Sequence, residues 1–172
     1  MSTQTELAAA QLNEGQDRRQ LFVGYWDCVG TKSTKGIGEE PYHAHMHNLW
    51  TLQNVWLLIQ FQEYQPTAGK PFAEDQYWGF SDNPVKHTRP MMTTGNGFGV
   101  VTSSGWEGDT SQWTGTYSVG EITFDLTETI TILDHNKIQW GGKIILGGEV
   151  VGTYDLLCTR QNQGHNGNMP TA

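Results

Sequence analysis

Cysteine is scarce in this chain, with only Cys28 and Cys158, and cationic side chains are few. Two cysteines are too few for a disulfide framework or a zinc ribbon, so the fold must rest on its own core. Ten Lys and Arg against 18 Asp and Glu leave a formal net charge of -8. An acidic chain without a basic cluster is poorly suited to nucleic acid or an anionic membrane surface, since both require cations to displace counterions. No apolar run is long enough to span a bilayer. Residues 1–20 have neither a basic n-region nor an apolar core of signal-peptide length, so a soluble, cytoplasmic protein is expected unless a signal has been removed. Repeats, a phosphate loop and a dinucleotide fingerprint are also missing. Gly95-Asn96-Gly97-Phe98-Gly99 has the glycines of such a motif but no helical pattern after it, and reads as a turn.

What is plentiful is glycine, at 21 residues, and tryptophan, at 7, in a chain of 172. That length suits one domain. A charged fraction of 16%, below the roughly 25% of average proteins, together with many aromatics and turn formers, points to many short strands. The clearest strand lies at 121–132. Ile122, Phe124, Leu126, Ile130 and Ile132 share one face, and Thr123, Asp125, Thr127, Thr129 and Thr131 share the other. Ile138, Trp140, Ile144 and Leu146 continue the pattern, as do Tyr154, Leu156 and Cys158. Earlier strands are expected near 22–31, 41–52, 55–64, 74–80, 90–94, 98–104 and 111–118. Thr3 and Glu6 form a capping-box pattern for a helix through about Asn13, and a helical turn is expected at 16–21. The predicted organisation is a helical segment at 1–20, an all-β antiparallel barrel at 21–160, and a disordered tail at 161–172.

The first strand opens on Gly24-Tyr25-Trp26 and the last ends on Arg160. This pairing resembles the calycin signature of lipocalins and their relatives, in which a Gly-x-Trp seals the closed barrel end under a basic residue from the last strand. Tyr77-Trp78-Gly79-Phe80-Ser81-Asp82 and Gly105-Trp106-Glu107-Gly108-Asp109 are similar to motifs of a bacterial calycin-like family with a helix before the barrel. The resemblance spans about 20–160. It implies a single up-and-down barrel, Trp26 under Arg160 in a cation–π contact, and an interior that carries apolar small molecules; other relatives bind haem, and a few are enzymes. With Trp26 opposite Arg160, antiparallel pairing brings Cys28 opposite Cys158, either as two buried apolar side chains or as a redox pair.

His43, His45 and His47 alternate on one strand and form a row on one face. At ~3.3 Å per residue, His43 and His47 are about 13 Å apart, too far to share one zinc. Two neighbours, His45 and His47, are the weak metal candidates. A turn at Gln53-Asn54 pairing Leu52 with Val55 puts the histidines, with Leu49, Trp56 and Leu58, opposite the more apolar face, so the row should point outward. The apolar residues on that outer face motivate an expectation of a homodimer.

Glu128 falls by parity on the inner face of its strand. If Ile132 pairs with Ile138, and Gly147-Gly148-Glu149 is a three-residue loop pairing Leu146 with Val150, then Glu128, Gly142 and Tyr154 lie side by side across three strands. An acid and a phenol flanking a glycine suggest a pocket with convergent polar groups. In that reading Glu128 is the candidate acid/base residue with Tyr154 as partner; the alternative is a carboxylate at an open end or paired with Arg89 or a lysine. Met46, Asn48, Trp50, Trp113, Tyr117 and Trp140 share the inner face and are the candidate ligand-binding residues. Ser104, His87 and Asp109 lie in separate turns without a nucleophile-elbow signal, so no hydrolytic triad is assigned. The expected function is binding of an apolar or aromatic small molecule. The alternatives are an isomerase, cyclase or lyase using Glu128, and a haem or metal site on the histidine row. No cofactor is assigned.

Overall fold

The computed structural model describes residues 18–64, 66, 71–82 and 85–161, with residues 81, 82 and 85 described by backbone alone. A helical turn at residues 18–20 leads into eleven strands. They are β1 (Gly24–Thr34), β2 (Gly38–Thr51), β3 (Trp56–Glu63), β4 (Ala73–Asp82), β5 (Val85–Thr93) and β6 (Gly97–Ser103), then β7 (Trp106–Glu107), β8 (Thr110–Val119), β9 (Ile122–Asp134), β10 (Lys137–Leu146) and β11 (Glu149–Gln161). Neighbours in sequence pair antiparallel except β6 and β7, β1 pairs with β11, and β6 pairs with β8. The sheet therefore closes on itself and has no free edge, apart from the two-residue β7 hung on β8. This is the all-β, up-and-down, calycin-like barrel expected. The helix proposed through Asn13 and the tail from 162 lie outside the described residues.

Alternation sets the interior. In β9, Leu126, Glu128 and Ile130 are buried while Thr127 and Thr129 are less so, as a period of two requires. Trp26 pairs with Arg160 and Cys28 with Cys158; the two cysteines form a disulfide that ties the first strand to the last. Such bonds persist in oxidising compartments and are rare in the cytosol, which pulls against a cytoplasmic placement. No helix among the described residues is long and apolar enough to cross a membrane.

Two turns differ from expectation, and neither alters the pairing beyond it. Strands β2 and β3 close at Thr51 and Trp56, one residue earlier than read, with Leu52, Gln53 and Asn54 all at positive φ. The β10–β11 hairpin is a two-residue Gly147-Gly148 turn pairing Leu146 with Glu149, rather than a three-residue loop. An irregularity at Ile144/Ile145 then adds one residue to β11, so Gly142 still faces Tyr154.

One end of the barrel is packed solid. The turn at 18–20 lies across it, and Phe22, Trp26, Trp78 and Trp113 beneath are at most 1% exposed. Phe22 sends its carbonyl to Trp26 Nε1 (2.7 Å) and Asn48 Nδ2 (2.9 Å). Arg160 lies over the Trp26 ring at 4.4 Å and donates to the carbonyls of Leu21, Val23 and His135. Gly24 is needed for this contact: its φ is +119°, and a β-carbon there would sit 3.0 Å from Arg160 Nη1. From the other side Arg19, fully buried, donates to the carbonyls of Val55 and Trp78, both at 2.9 Å, and stacks on Trp50 and Phe80.

His87 belongs to the same plug, its Nδ1 accepting from Trp78 Nε1 at 3.0 Å. Burial, with the charge of Arg19 adding, holds its pKa down to about 4 against 6.5 in an ordinary setting. The unfolded chain therefore takes up a proton between these values that the folded one refuses. Stability is full above pH 6.5 and is lost as pH falls toward 4.

Two outcomes follow for this end. Arg160→Lys keeps the charge but loses the planar fork that reaches three carbonyls, and should cost about 1–3 kcal/mol in urea unfolding; an unchanged midpoint would mean the cap contributes nothing. In a pH titration followed by NMR, the His87 ring should stay in its neutral form down to about pH 5, while about 2–3 kcal/mol of stability is lost as pH falls from 6.5 toward 4. A His87 ring that titrates at the ordinary value contradicts the assignment.

Candidate functional site

Strand register builds the site. One inner-face band runs Glu40, Lys32, Tyr154, Gly142, Glu128, Trp113 across β2, β1, β11, β10, β9 and β8. Glu128, Gly142 and Tyr154 are thus adjacent, as the strand parity implied. The space beside Gly142, however, is occupied. The Tyr154 ring lies across it, and a β-carbon at 142 would collide with that ring. From there the Tyr154 hydroxyl donates to Glu128 Oε1, which also accepts from Trp140 Nε1 at 3.1 Å. Glu128 Oε2 is taken by Arg89.

Arg89 is fully buried, its guanidinium held between the rings of Trp113 (4.6 Å) and Trp140 (4.7 Å). Burial lowers its pKa to about 10, with Tyr154 and Glu74 opposing the shift, so it is a cation at neutral pH. Glu128 is therefore the partner of a buried cation and accepts from three donors. That is the pairing with Arg89 given as the alternative for this residue.

Above this pair the barrel is hollow. A cavity of ≈ 280 Å³ runs toward Lys32, Ser33, Thr34, Gly152 and Thr153, at the end of the barrel opposite the helical turn. Phe61, Met91, Phe124, Leu126, Ile144 and Leu156 give it apolar walls; Lys32, Tyr42, Glu74, Gln76, Glu128 and Tyr154 supply the polar groups. Lys32 Nζ is already engaged, 2.6 Å from Glu63 Oε1 and 3.4 Å from Glu40 Oε1, above the Tyr42 ring at 4.9 Å. Burial raises the phenol pKa of Tyr154 and of Tyr42, so both stay neutral hydroxyls.

Glu74 differs from the other acids. It makes no ion pair among the described residues, and its Oε1 is buried without a hydrogen-bond partner. Two residues along β4, Gln76 Oε1 is in the same condition. Burial raises the Glu74 carboxyl to about 7, against opposing contributions from the Arg89 charge and a hydrogen bond from Gln76.

Of the candidate residues, Glu128, Tyr154, Tyr117 and Trp140 line the cavity. Met46, Asn48, Trp50 and Trp113 do not. Met46 is 1% exposed in the core, Asn48 holds the Phe22 carbonyl, Trp50 donates to Gln20 Oε1, and Trp113 packs edge-on against Trp78 beneath the cavity. They belong to the packed half because alternation fixes the face of a residue but not its height along the barrel. The histidine row lies outside, as expected: His47 stacks on Tyr25 and His45 on Tyr64, with His45 Nδ1 3.3 Å from Asp27. His45 and His47 therefore point away from the cavity, and no group of three or more His, Cys, Asp or Glu among the described residues is arranged to hold a metal.

Glu74 and Gln76 were missed by reading the sequence. Neither face of 74–80 is clearly apolar, because Glu74, Gln76, Trp78 and Phe80 alternate with Asp75, Tyr77 and Gly79. The signal that was available is Trp78: once that ring is placed in the core, Glu74 and Gln76 must point inward with it.

No family model and no curated protein sequence matches the chain. Solved structures do. Rv2717c from M. tuberculosis superposes with a TM-score of 0.69 at 13% identity, over 86% of this chain and 98% of that one. The S-type phycobiliprotein lyase CPES from Guillardia theta superposes with a TM-score of 0.60 at 10% identity, over 94% of this chain and 99% of that one. At such identities the likeness is one of fold, and the fold is that of a calycin-like, lipocalin-like barrel.

Proposed function

We propose that this barrel binds a small, largely apolar molecule of aromatic character in its cavity. One observation carries the reading: the barrel is solid at the Trp26 end and hollow at the other, where apolar walls surround a few polar groups. An enclosed site of about 150 Å³ accommodates one benzene, so ≈ 280 Å³ suits a molecule of about two fused rings. Tyr117 and Trp140, expected at the ligand, border this space, with Tyr42, Phe61 and Phe124 completing its aromatic wall.

The Guillardia theta protein is named a lyase, and lyase-type chemistry is the second reading here. It would fall to Glu74 rather than to Glu128. Both oxygens of Glu128 are occupied by Arg89, Tyr154 and Trp140, whereas Glu74 keeps one oxygen open and has a pKa of about 7.

Naphthalene derivatives test the binding. At a hundredfold excess over Kd such a ligand should raise Tm by about 5 °C or more. Leu126→Trp, which puts an indole into the cavity, should abolish that shift while the far-UV spectrum stays that of a β-barrel. No shift with any apolar probe, or an equal shift in the Leu126→Trp variant, removes the cavity as the binding site.

A further inference from the structure

The acids and bases around the cavity do not balance. Lys32 is held by Glu63 and Glu40, and Arg89 by Glu128. That leaves four carboxylates to two cations once Glu74, itself without an ion-pair partner among the described residues, is ionised. Glu74 and Gln76 each line the cavity with a buried oxygen that accepts nothing. A buried acceptor without a donor carries a desolvation cost that a ligand bearing N–H groups recovers on binding. Two such acceptors sit at i and i+2 on one strand face, some 6–7 Å apart at the backbone. The wall around them is aromatic, with Tyr42, Phe61 and Phe124, a surface that attracts cations through the ring face.

We propose that the cavity selects molecules carrying a protonated nitrogen, a primary amine or an amidine, on an apolar two-ring body, with Glu74 and Gln76 receiving its N–H donors. This rests on the cavity being a binding site and adds the charge of the ligand to it. An anionic ligand is disfavoured by the surplus of carboxylates, and a neutral one leaves the Glu74 charge unmatched.

Proton linkage gives the reading a second signature. The groups that act on Glu74 are Asp75 and Gln76 from its own strand and Arg89 from β5, while Tyr42 of β2 and Tyr154 of β11 respond to its charge. A bound cation favours the carboxylate form, so binding below the Glu74 pKa of about 7 releases a proton, and affinity falls as pH is lowered through that value.

The test uses the full chain and three isosteric probes: 2-naphthylmethylamine, 2-naphthylmethanol and 2-naphthoate, titrated by calorimetry at about pH 8, where the alkylammonium is charged. The amine should bind at least tenfold more tightly than the alcohol, and the carboxylate most weakly. Glu74→Gln should close the gap between amine and alcohol, so that the variant binds the two alike, and at about pH 8 should raise the melting temperature, because it removes a buried charge that has no ion-pair partner among the described residues. At about pH 6, titrations in two buffers of different ionisation enthalpy should show proton release with the amine and none with the alcohol. Equal binding of amine and alcohol to the native chain overturns the charge selection and leaves the binding cavity standing. Binding of none of the three overturns both readings. A fall in melting temperature in Glu74→Gln at about pH 8 shows that the Glu74 charge is already matched in the free protein, and overturns the proposal as well.

Discussion

Burying a guanidinium costs several kcal/mol unless a carboxylate and good packing offset it, and the interior of this barrel is arranged around one such group. Arg89 is fully buried, sandwiched by Trp113 and Trp140 and paired with Glu128. The pair lies where the packed half of the barrel meets the hollow half. Beneath it Trp113, Trp78, Phe22 and Trp26 fill the interior; above it the side chains no longer meet, and the cavity begins. Removing either charge would leave the other unpaired among aromatic rings, so pair and cavity floor stand or fall together.

The pair also decides which acid keeps an open oxygen. Arg89, Tyr154 and Trp140 use the oxygens of Glu128, while Lys32 pairs with one oxygen each of Glu63 and Glu40 and the Phe72 N–H donates to the other Glu63 oxygen. Glu74 is the carboxyl left with an open oxygen in the wall. Its raised pKa and the depressed pKa of His87 share a cause, since burial disfavours whichever form carries charge. They bear on stability in opposite senses. His87 weakens the fold as pH falls below 6.5, and Glu74 weakens it as pH rises from 4.5 through about 7. Stability contributed by the two together is therefore best in the mildly acidic range between.

Much of the barrel was legible because alternation and turn chemistry are local. Ile122 to Ile132 announced β9, and Gly24-x-Trp26 with Arg160 announced the pairing of first and last strands that closes the sheet. The β10–β11 turn was misread by one residue, yet Gly142 still meets Tyr154, because the irregularity at Ile144/Ile145 compensates. The histidine row was placed outward by comparing the polarity of the two faces of one hairpin, and its rings do lie on the outer tyrosines. The same comparison failed for β4, whose two faces carry similar mixtures of polar and aromatic residues.

Strand content, closure, register and the inward parity of Glu128 were determined by the sequence alone, since each depends on spacing along the chain and on pairs of neighbouring strands. Height along the barrel was decided by the tertiary structure. Met46, Asn48, Trp50 and Trp113 share a face with Tyr117 and Trp140, but only the latter two reach the cavity, because the plug of residues 18–22 fills one end and not the other. Ion-pair choice was decided there as well. Arg89 and Glu128 are 39 residues apart, and Lys32 and Glu63 are 31 apart; which cation takes which acid, and so which acid is left over, depends on distances that exist only once the barrel has closed.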